Sequence, residues 1–339
     1  KYHLYRDMNK NSLYIVAEAG INHNGSLEKA FQLIDAAKSS GADAIKFQTH
    51  IPEMEMLNTS IKPGNSDRPL WDIISDATLT FEDEKKIKEY ADDIGITFFS
   101  TPFSREGADR LLELGIPYFK IGSGECNNYP LIHHISKFGK PMILSTGMNS
   151  LETVKESVDI ILSNNCELTI LHCVSMYPTP PNKMDLGVIA QYTKTFPDIN
   201  IGLSDHSLGI HMSLAAVALG ANMIEKHFTI SRDWEGPDNI ISIEPNELKD
   251  LVIQGNEIFN GRGGLKRIHP EEQVVIDFAY SSVVSIKDIS AGEELNKENT
   301  WVKRPGTGDF LTEDYETILG RKASRFIKKD SQIKKEDLI

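Results

Sequence analysis

The sequence predicts a (β/α)8 barrel followed by a small β-rich domain, and two observations support this prediction. Between Leu13 and about Gly261, a short apolar segment that stops at polar residues is followed by an amphipathic segment, and this unit occurs eight times. Strands that alternate with helices form a parallel sheet, and eight such units close into a barrel. From Ser282 onward, short β-like runs alternate with turns and charged pieces, which is typical of a small separate domain.

Each unit pairs one strand with one helix, and glycines such as Gly41 and Gly95 stand where a helix is expected to end. The predicted strands cover residues 13–17, 44–48, 96–100, 118–122, 142–146, 168–172, 201–204 and 222–226. The predicted helices lie near residues 27–39, 82–94, 105–114, 129–138, 151–163, 185–195, 209–219 and 245–258. A long loop over residues 51–80 extends the second unit, either as a lid or substrate wall or as a surface insertion. The domains are therefore expected at 1–261 and 282–339, with a linker at 262–281.

Composition excludes several classes of protein. The formal net charge of −13 argues against nucleic acids and anionic membrane surfaces as partners. The three cysteines, Cys126, Cys166 and Cys173, form no disulfide framework and favour a reducing cytoplasm. No apolar run of about 18 residues occurs, so no membrane span is expected, and the polar N-terminus shows no signal-peptide pattern.

Two histidines follow neighbouring predicted strands. His206 comes directly after the seventh strand, and His227 ends the segment that contains the eighth. The carboxyl ends of adjacent parallel strands meet at one edge, so the two imidazoles can converge on a divalent metal with positions left open for substrate or water. The alternative is that each histidine is an ordinary hydrogen-bonded residue, because the spacing is not the H-E-x-x-H pattern.

Two lysines stand on strands that otherwise are apolar. Lys46 and Lys120 would be costly to bury without an anion beside them. With the hydroxyls of Ser123, Ser145 and Ser204 they predict a pocket for a phosphate, or for a phosphate and a carboxylate. For either lysine alone, an ion pair with a neighbouring glutamate is the alternative.

A metal, a pocket for a phosphorylated acid and two spare carboxylates together favour one reaction class, the addition of phosphoenolpyruvate to an aldehyde. The metal would polarise the aldehyde oxygen, the enol carbon would attack, and water would add before phosphate leaves.

Several segments carry a resemblance to a known family. They are I-V-A-E-A-G-I-N-H-N-G-S (15–26), S-T-P-F-S (100–104), K-I-G-S-G-E-C-N-N-Y-P-L-I (120–132), L-S-T-G-M-N-S (144–150), Y-P-T-P (177–180), G-L-S-D-H-S (202–207), E-K-H-F-T (225–229) and W-V-K-R-P-G (301–306). In this order they resemble the sialic acid (N-acetylneuraminate) synthase family, and the last domain resembles its antifreeze-like (SAF) module. The resemblance extends from about Leu13 to Ile339.

The resemblance implies a role for each matching residue. His206 and His227 would bind a divalent metal, Mn²⁺ first with Mg²⁺ or Co²⁺ as alternatives, and Glu18 would act as acid or base. Phosphoenolpyruvate would be held by Lys46, Thr101, Lys120, Ser123, Ser145 and Ser204. The sugar would be contacted by Asn65, Glu125, Tyr177, Asp238 and, from the partner subunit of a domain-swapped homodimer, Arg304.

The identity of the sugar is the least constrained expectation. The segment S-G-E-C-N-N-Y-P favours N-acetylmannosamine, and hence an N-acetylneuraminate synthase. Two departures leave the sugar open. Phe47 stands where close bacterial neuraminate synthases often have histidine. The seventh helix resembles that of the relatives that make N,N'-diacetyllegionaminate from 2,4-diacetamido-2,4,6-trideoxymannose. Two other classes compete: a non-enzymatic polysaccharide- or ice-binding protein, and an aldolase that forms a Schiff base on Lys46 or Lys120.

Overall fold

The computed structural model describes residues 12–64 and 66–339. They fall into two compact units, one that ends at Gly263 and one that covers Gly264–Ile339. Among the described residues, we find no helix with the length and apolar character needed to cross a membrane. Each unit has its own hydrophobic core.

Eight parallel strands form the centre of the first unit. They are β1 Tyr14–Gly20, β2 Ala44–Thr49, β3 Thr97–Pro102, β4 Phe119–Ile121, β5 Met142–Ser145, β6 Leu168–Cys173, β7 Asn200–Asp205 and β8 Met223–His227. Their order is β3-β2-β1-β8-β7-β6-β5-β4, and β3 lies next to β4, so the sheet closes on itself. The predicted barrel is confirmed, with its strands close to the expected positions.

Ten α-helices accompany the strands in the described part of the first unit. They are α1 Leu27–Ser39, α2 Pro52–Glu55, α3 Leu70–Ala77, α4 Phe81–Ile94, α5 Arg105–Glu113, α6 Tyr129–Ser136, α7 Leu151–Ser163, α8 Gly187–Thr195, α9 His211–Ala218 and α10 Pro245–Gly261. Several begin at a serine or threonine that caps them; the Ser104 hydroxyl, for example, accepts from the Gly107 amide at 3.0 Å. Such caps start the helix soon after the strand ends and keep the connecting turns short.

The region 51–80 is more ordered than the sequence predicted. It contains the two short helices α2 and α3 where a long loop was expected. Helix α3 buries Ile73, Ile74 and Ala77, which form a small apolar cluster with Ile21. Three apolar residues on one helical face suffice to dock such a short segment, but they produce too weak a periodic signal to distinguish it from a loop.

Strand register places the polar side chains of neighbouring strands at one level. Glu18 pairs with Lys46 across β1 and β2, and with His227 across β1 and β8. Ser204 pairs with Glu225 across β7 and β8. Successive side chains of a strand point to opposite faces, so residues two apart share a face, and the barrel interior receives these residues together near its carboxyl end.

The second unit is small and rich in turns. Strands β9 Ser282–Ser285 and β10 Thr300–Lys303 pair antiparallel around a core that includes Val283, Ile289 and Ile333. Two helices accompany them, α11 Gln273–Ala279 and α12 Tyr315–Ile318. Helix α11 lies within the segment predicted as a linker.

Candidate active site

The predicted site residues meet at the carboxyl ends of the barrel strands. A cavity of about 290 Å³ opens there, which is near the lower end of the volumes that ligand pockets have. Its walls include ten of the residues singled out from the sequence: Glu18, Lys46, Thr101, Lys120, Ser123, Ser145, Tyr177, Ser204, His206 and His227. The structure therefore brings these predicted residues together around one cavity.

Two lysines and two glutamates form a buried cluster on the floor of this cavity. The Lys46 ammonium lies 2.7 Å from Glu18 Oε2 and 3.7 Å from Glu225 Oε1, and it donates to the Thr101 hydroxyl at 3.0 Å. The Lys120 ammonium lies 3.3 Å from Glu225 Oε1 and donates to the Ser145 hydroxyl at 2.7 Å. The ion pair with a glutamate that was considered for each lysine is therefore present, and both lysines also line the cavity.

Burial and these pairs shift the pKa values of the cluster. Burial raises the pKa of Glu18 to about 7, in spite of the neighbouring Lys46 ammonium. Burial also disfavours the charged form of Lys120 and lowers the pKa of that ammonium. For Lys46, the neighbouring carboxylates outweigh burial and raise its pKa. Burial disfavours the charged form of Glu225 as well, but Lys120 and Lys46 outweigh it and keep the pKa of that carboxyl below its usual range. Glu18 is therefore the carboxyl that can exchange a proton near neutral pH.

The two histidines line the same cavity beside this cluster. Their ring centroids are 5.3 Å apart, and the Tyr177 ring packs against His206 at 4.2 Å. His206 Nδ1 lies 2.9 Å from the Val174 carbonyl oxygen and donates to it, which leaves Nε2 with a free lone pair. His227 Nδ1 is buried and has no hydrogen-bond partner in the described part of the chain.

These features fit a bound divalent cation. An orphaned buried nitrogen is costly unless a ligand satisfies it. Burial, reinforced by His206, holds the pKa of His227 well below its usual range, so this imidazole is neutral, as a metal ligand must be. The Cys173 thiol, 3.8 Å from His206 Nδ1, offsets burial there and raises the His206 pKa. The described residues hold no group of three or more metal-type side chains, so the two imidazoles would leave most coordination positions to oxygen ligands.

The residues predicted to contact a sugar do not all line the cavity that contains the lysines and histidines. Tyr177 and Asp238 line a second cavity of about 560 Å³, which shares Gln48 and His227 with the first. Glu125 instead faces a neighbouring groove and bonds to Asn128. Asn65 lies outside the described residues, and Arg304 is an exposed residue of the second unit.

Helix α3 forms an apolar wall of the second cavity. Leu70, Ile73 and Ile74 line it together with Ile21 from the end of the β1 segment. Helix α3 of the segment 51–80 thus lines this cavity, as the substrate-wall alternative for that segment expects. Apolar residues in the same cavity as Tyr177 and Asp238 fit a ligand with methyl groups as well as polar ones.

Four further residues belong to the site although sequence reasoning gave them no specific role. Glu225 pairs with both lysines, Cys173 contacts His206, and Gln48 donates to Glu18 at 3.3 Å. His50 Nε2 in turn lies 3.0 Å from Gln48 Oε1. A signal was available for Gln48 and His50, because Lys46, Gln48 and His50 are spaced by two along β2 and its end and so share a face. Cys173 had no such signal, since its histidine neighbour is 33 positions away.

The arrangement can bind an anion and move a proton. Two buried ammonium groups with hydroxyl donors suit a phosphate or carboxylate ligand. A carboxyl with a pKa near 7 suits a general acid or base at neutral pH. Both stand next to two imidazoles that fit a metal, and together these groups describe an active site.

Comparisons with known proteins agree with this description. The NeuB family matches residues 33–266, and the SAF domain matches residues 280–339. The N,N'-diacetyllegionaminic acid synthase of Campylobacter jejuni is 39% identical over 94% of this chain and 98% of its own length. The N-acetylneuraminate-9-phosphate synthase of Mus musculus is 34% identical over 97% of this chain and 93% of its own.

A solved structure extends the agreement to the fold. The N-acetylneuraminic acid (sialic acid) synthetase of Leptospira borgpetersenii serovar Hardjo-bovis, in complex with citrate, superposes with a TM-score of 0.74 and 34% identity. The match covers 79% of this chain and 91% of that one. The family resemblance inferred from the sequence motifs is confirmed, and the chain belongs to the NeuB family of sialic-acid-type synthases, with a C-terminal SAF domain.

Proposed function

We propose that this protein condenses phosphoenolpyruvate with N-acetylmannosamine and water to give N-acetylneuraminate and phosphate. The observation that carries the proposal is the cavity in which the Lys46–Glu18 and Lys120–Glu225 pairs lie beside His206 and His227. The family provides the reaction class, and this cavity supplies a matching group for each chemical requirement.

The phosphorylated acid would occupy the lysine cluster. Its phosphate and carboxylate carry the negative charge that two buried ammonium groups favour, and Thr101, Ser145 and Ser204 add hydroxyl donors at the same level. Lys46 and Lys120 each lie within ion-pair distance of Glu225. Substrate entry would therefore replace part of an internal ion-pair network with contacts to the ligand.

Glu18 would handle the protons of the reaction. The nucleophilic carbon of phosphoenolpyruvate forms a bond to the aldehyde carbon of the sugar, and water then adds to the carbon that bore the phosphate ester. Loss of phosphate from that carbon leaves a ketone. Glu18, whose pKa burial raises to about 7, can accept a proton from the water and return one to the sugar oxygen.

We also propose that His206 and His227 hold a divalent metal, Mn²⁺ in the first instance. When bound, the metal supplies Lewis-acid polarisation of the sugar aldehyde. The support is the unpartnered, buried Nδ1 of His227 and the free Nε2 of His206. A Schiff-base route would instead use Lys120 or Lys46 as a nucleophile. The carboxylates beside Lys46 raise its pKa and make it a poor candidate, so the trapping experiment below mainly tests Lys120.

A second candidate substrate is 2,4-diacetamido-2,4,6-trideoxymannose, the precursor of N,N'-diacetyllegionaminate. The apolar wall formed by Leu70, Ile73 and Ile74 favours it, because that sugar carries a methyl group and a second acetamido group where N-acetylmannosamine carries hydroxyls. The similarity to the Campylobacter jejuni synthase points the same way.

We propose further that the enzyme works as a domain-swapped homodimer in the cytoplasm. The three cysteines are buried and free, which suits a reducing compartment. Arg304 is exposed on the SAF domain and would reach the partner subunit's sugar site. Mixing Arg304→Ala subunits with Glu18→Gln subunits would restore part of the activity, because a mixed dimer contains one intact site. Confirmed subunit exchange without any recovery would contradict the swapped arrangement.

Phosphate release with a panel of sugars tests the reaction. The full-length protein would be supplied with Mn²⁺, phosphoenolpyruvate and, in turn, N-acetylmannosamine, its 6-phosphate or the diacetamido sugar. We expect release only when metal, phosphoenolpyruvate and one of the sugars are all present. Release without any sugar, or a lysine adduct trapped by borohydride with pyruvate, would rule out the proposed chemistry.

A further inference from the structure

A continuous row of hydrogen bonds runs away from Glu18, outside the metal and phosphate groups. Gln48 Nε2 donates to Glu18 Oε1 at 3.3 Å, and Gln48 Oε1 lies 3.0 Å from His50 Nε2. His50 Nδ1 lies 2.7 Å from Glu55 Oε1. The side chains of His50 and Glu55 are only 4% and 3% exposed, so this is a buried polar row in which every contact matters.

The row is held rigidly at its far end. The His50 ring stacks on Phe103, with centroids 4.4 Å apart and planes 14° from parallel. Glu55 Oε2 also accepts from the backbone amide of Ile51, which anchors the carboxylate at helix α2. His50 therefore has little freedom to turn, and the direction of its Nε2 toward Gln48 is set by packing.

The chemistry of the groups makes the amide orientation of Gln48 matter. A carboxamide can present either its nitrogen or its oxygen to a neighbour. The nitrogen donates to a Glu18 carboxylate, whereas the oxygen would place two acceptors 3.3 Å apart. The Glu55 carboxylate only accepts, so His50 Nδ1 donates to it. In an imidazolium–carboxylate pair with Glu55, His50 Nε2 carries a hydrogen as well, and that hydrogen selects the Gln48 oxygen, whereas a lone pair on Nε2 would select the Gln48 nitrogen.

We infer that His50 forms a buried imidazolium–carboxylate pair with Glu55 and, stacked on Phe103, is a positioning residue that fixes the Gln48 carboxamide with its nitrogen toward Glu18. Gln48 lines both cavities, so this nitrogen stands at the junction of the two and has a second hydrogen to offer a substrate oxygen. The inference rests on the proposed function in assigning Glu18 the proton-transfer role. It adds that His50, Glu55 and Phe103 affect the reaction only through the orientation of Gln48.

Turnover by single and double variants provides the first test. His50→Leu removes both contacts and is expected to lower kcat about tenfold while the KM for phosphoenolpyruvate stays within about twofold. His50→Gln keeps a donor toward Gln48 and is expected to recover most of that loss. Gln48→Met is expected to lower kcat about tenfold as well. When Gln48 is already methionine, His50→Leu is expected to lower kcat by about twofold at most, because the carboxamide that His50 positions is gone.

A matched control uses a histidine with the same kind of partner elsewhere. His134 Nε2 lies 2.6 Å from Asp109 Oδ1 and lines neither cavity, so His134→Leu is expected to leave kcat unchanged. If His50 only tied helix α2 to the barrel, its loss would lower the melting temperature and reduce kcat by the same factor in both backgrounds. Such additive losses in wild-type and Gln48→Met protein would overturn the inference.

Neutron diffraction from crystals of the deuterated full-length protein tests the orientation independently of turnover. We expect deuterium on the Gln48 atom nearer Glu18 and on both ring nitrogens of His50. Deuterated nitrogen of Gln48 facing His50 would overturn the inference even if the enzyme is active. Correct orientation in a protein that releases no phosphate with any sugar would instead contradict the proposed function and leave the positioning intact.

Discussion

Replacement of Lys120 by methionine tests the anion pocket most sharply. Lys120 is 2% exposed, and its ammonium donates to the Ser145 hydroxyl and pairs with Glu225. Burial lowers its pKa, so a bound anion is the partner that best stabilises its charged form. Methionine has nearly the same length without the charge, and it fills the same space.

The expected loss follows from one charge-assisted contact to the substrate. Such a contact contributes about 2–3 kcal/mol, which corresponds to a decrease of roughly 30- to 150-fold in kcat/KM for phosphoenolpyruvate. The protein itself should lose little stability, because Glu225 keeps a second ammonium, that of Lys46, at 3.7 Å. Loss of the only partner of a buried charge would cost more, about 3–5 kcal/mol.

Steady-state phosphate release, with each substrate varied in turn, measures the effect. The KM for the sugar is expected to change less than about threefold. Lys88→Met serves as the control, since Lys88 is a buried lysine bonded to Asp92 on helix α4, away from the cavity. Equal losses for the two substrates, or a loss no larger than that of the control, would show that Lys120 does not bind the phosphorylated substrate.

Three other predictions concern stability and proton transfer. His23 is buried with a pKa that burial lowers to about 4, so the unfolded state binds its proton first, and stability falls as pH drops below about 6.5. Between pH 7.5 and pH 5 this loss is about 2 kcal/mol, and chemical denaturation of His23→Asn should show a correspondingly smaller pH dependence. Lys226→Met leaves the buried Asp205 carboxylate without its ion-pair partner at 3.1 Å and should lower the free energy of unfolding by about 3–5 kcal/mol. The double variant Lys226→Met with Asp205→Asn should lose clearly less stability. Equal losses in the single and double variants would show that the charge pair is not the cause. Glu18→Gln should lower kcat by roughly two to four powers of ten with unchanged metal content, and near-normal turnover would make Glu18 a purely structural residue.

The barrel was predictable because each of its strands is a short apolar run bounded by helix caps and glycines. The buried strand β6 and the capped helix α7 appear in the sequence almost to the residue. Helix α3 was not predictable, since its burial depends on Ile21, a residue about fifty positions away in the chain. Short segments of that kind are stabilised by tertiary contacts more than by their own periodicity.

The site was predictable to the extent that strand ends determine it. Lys120 stands out as a charged side chain within an apolar strand, and His227 stands out because an imidazole ends one. The contact of Cys173 with His206 and that of His50 with Glu55 depend instead on how side chains turn within the barrel mouth. Glu125 shows the reverse case, because its motif predicted a sugar contact while its side chain faces a separate groove.

Titration of Mn²⁺ into metal-free, full-length protein tests the central claim most directly. Wild-type protein and His227→Ala would be titrated by calorimetry, and phosphate release would be followed on the same samples. We expect one Mn²⁺ per wild-type chain, binding at least tenfold weaker in His227→Ala, and phosphate release that returns in step with occupancy. Unchanged binding in His227→Ala, or full phosphate release by wild-type protein in excess chelator, would contradict a metal-dependent synthase centred on His206 and His227.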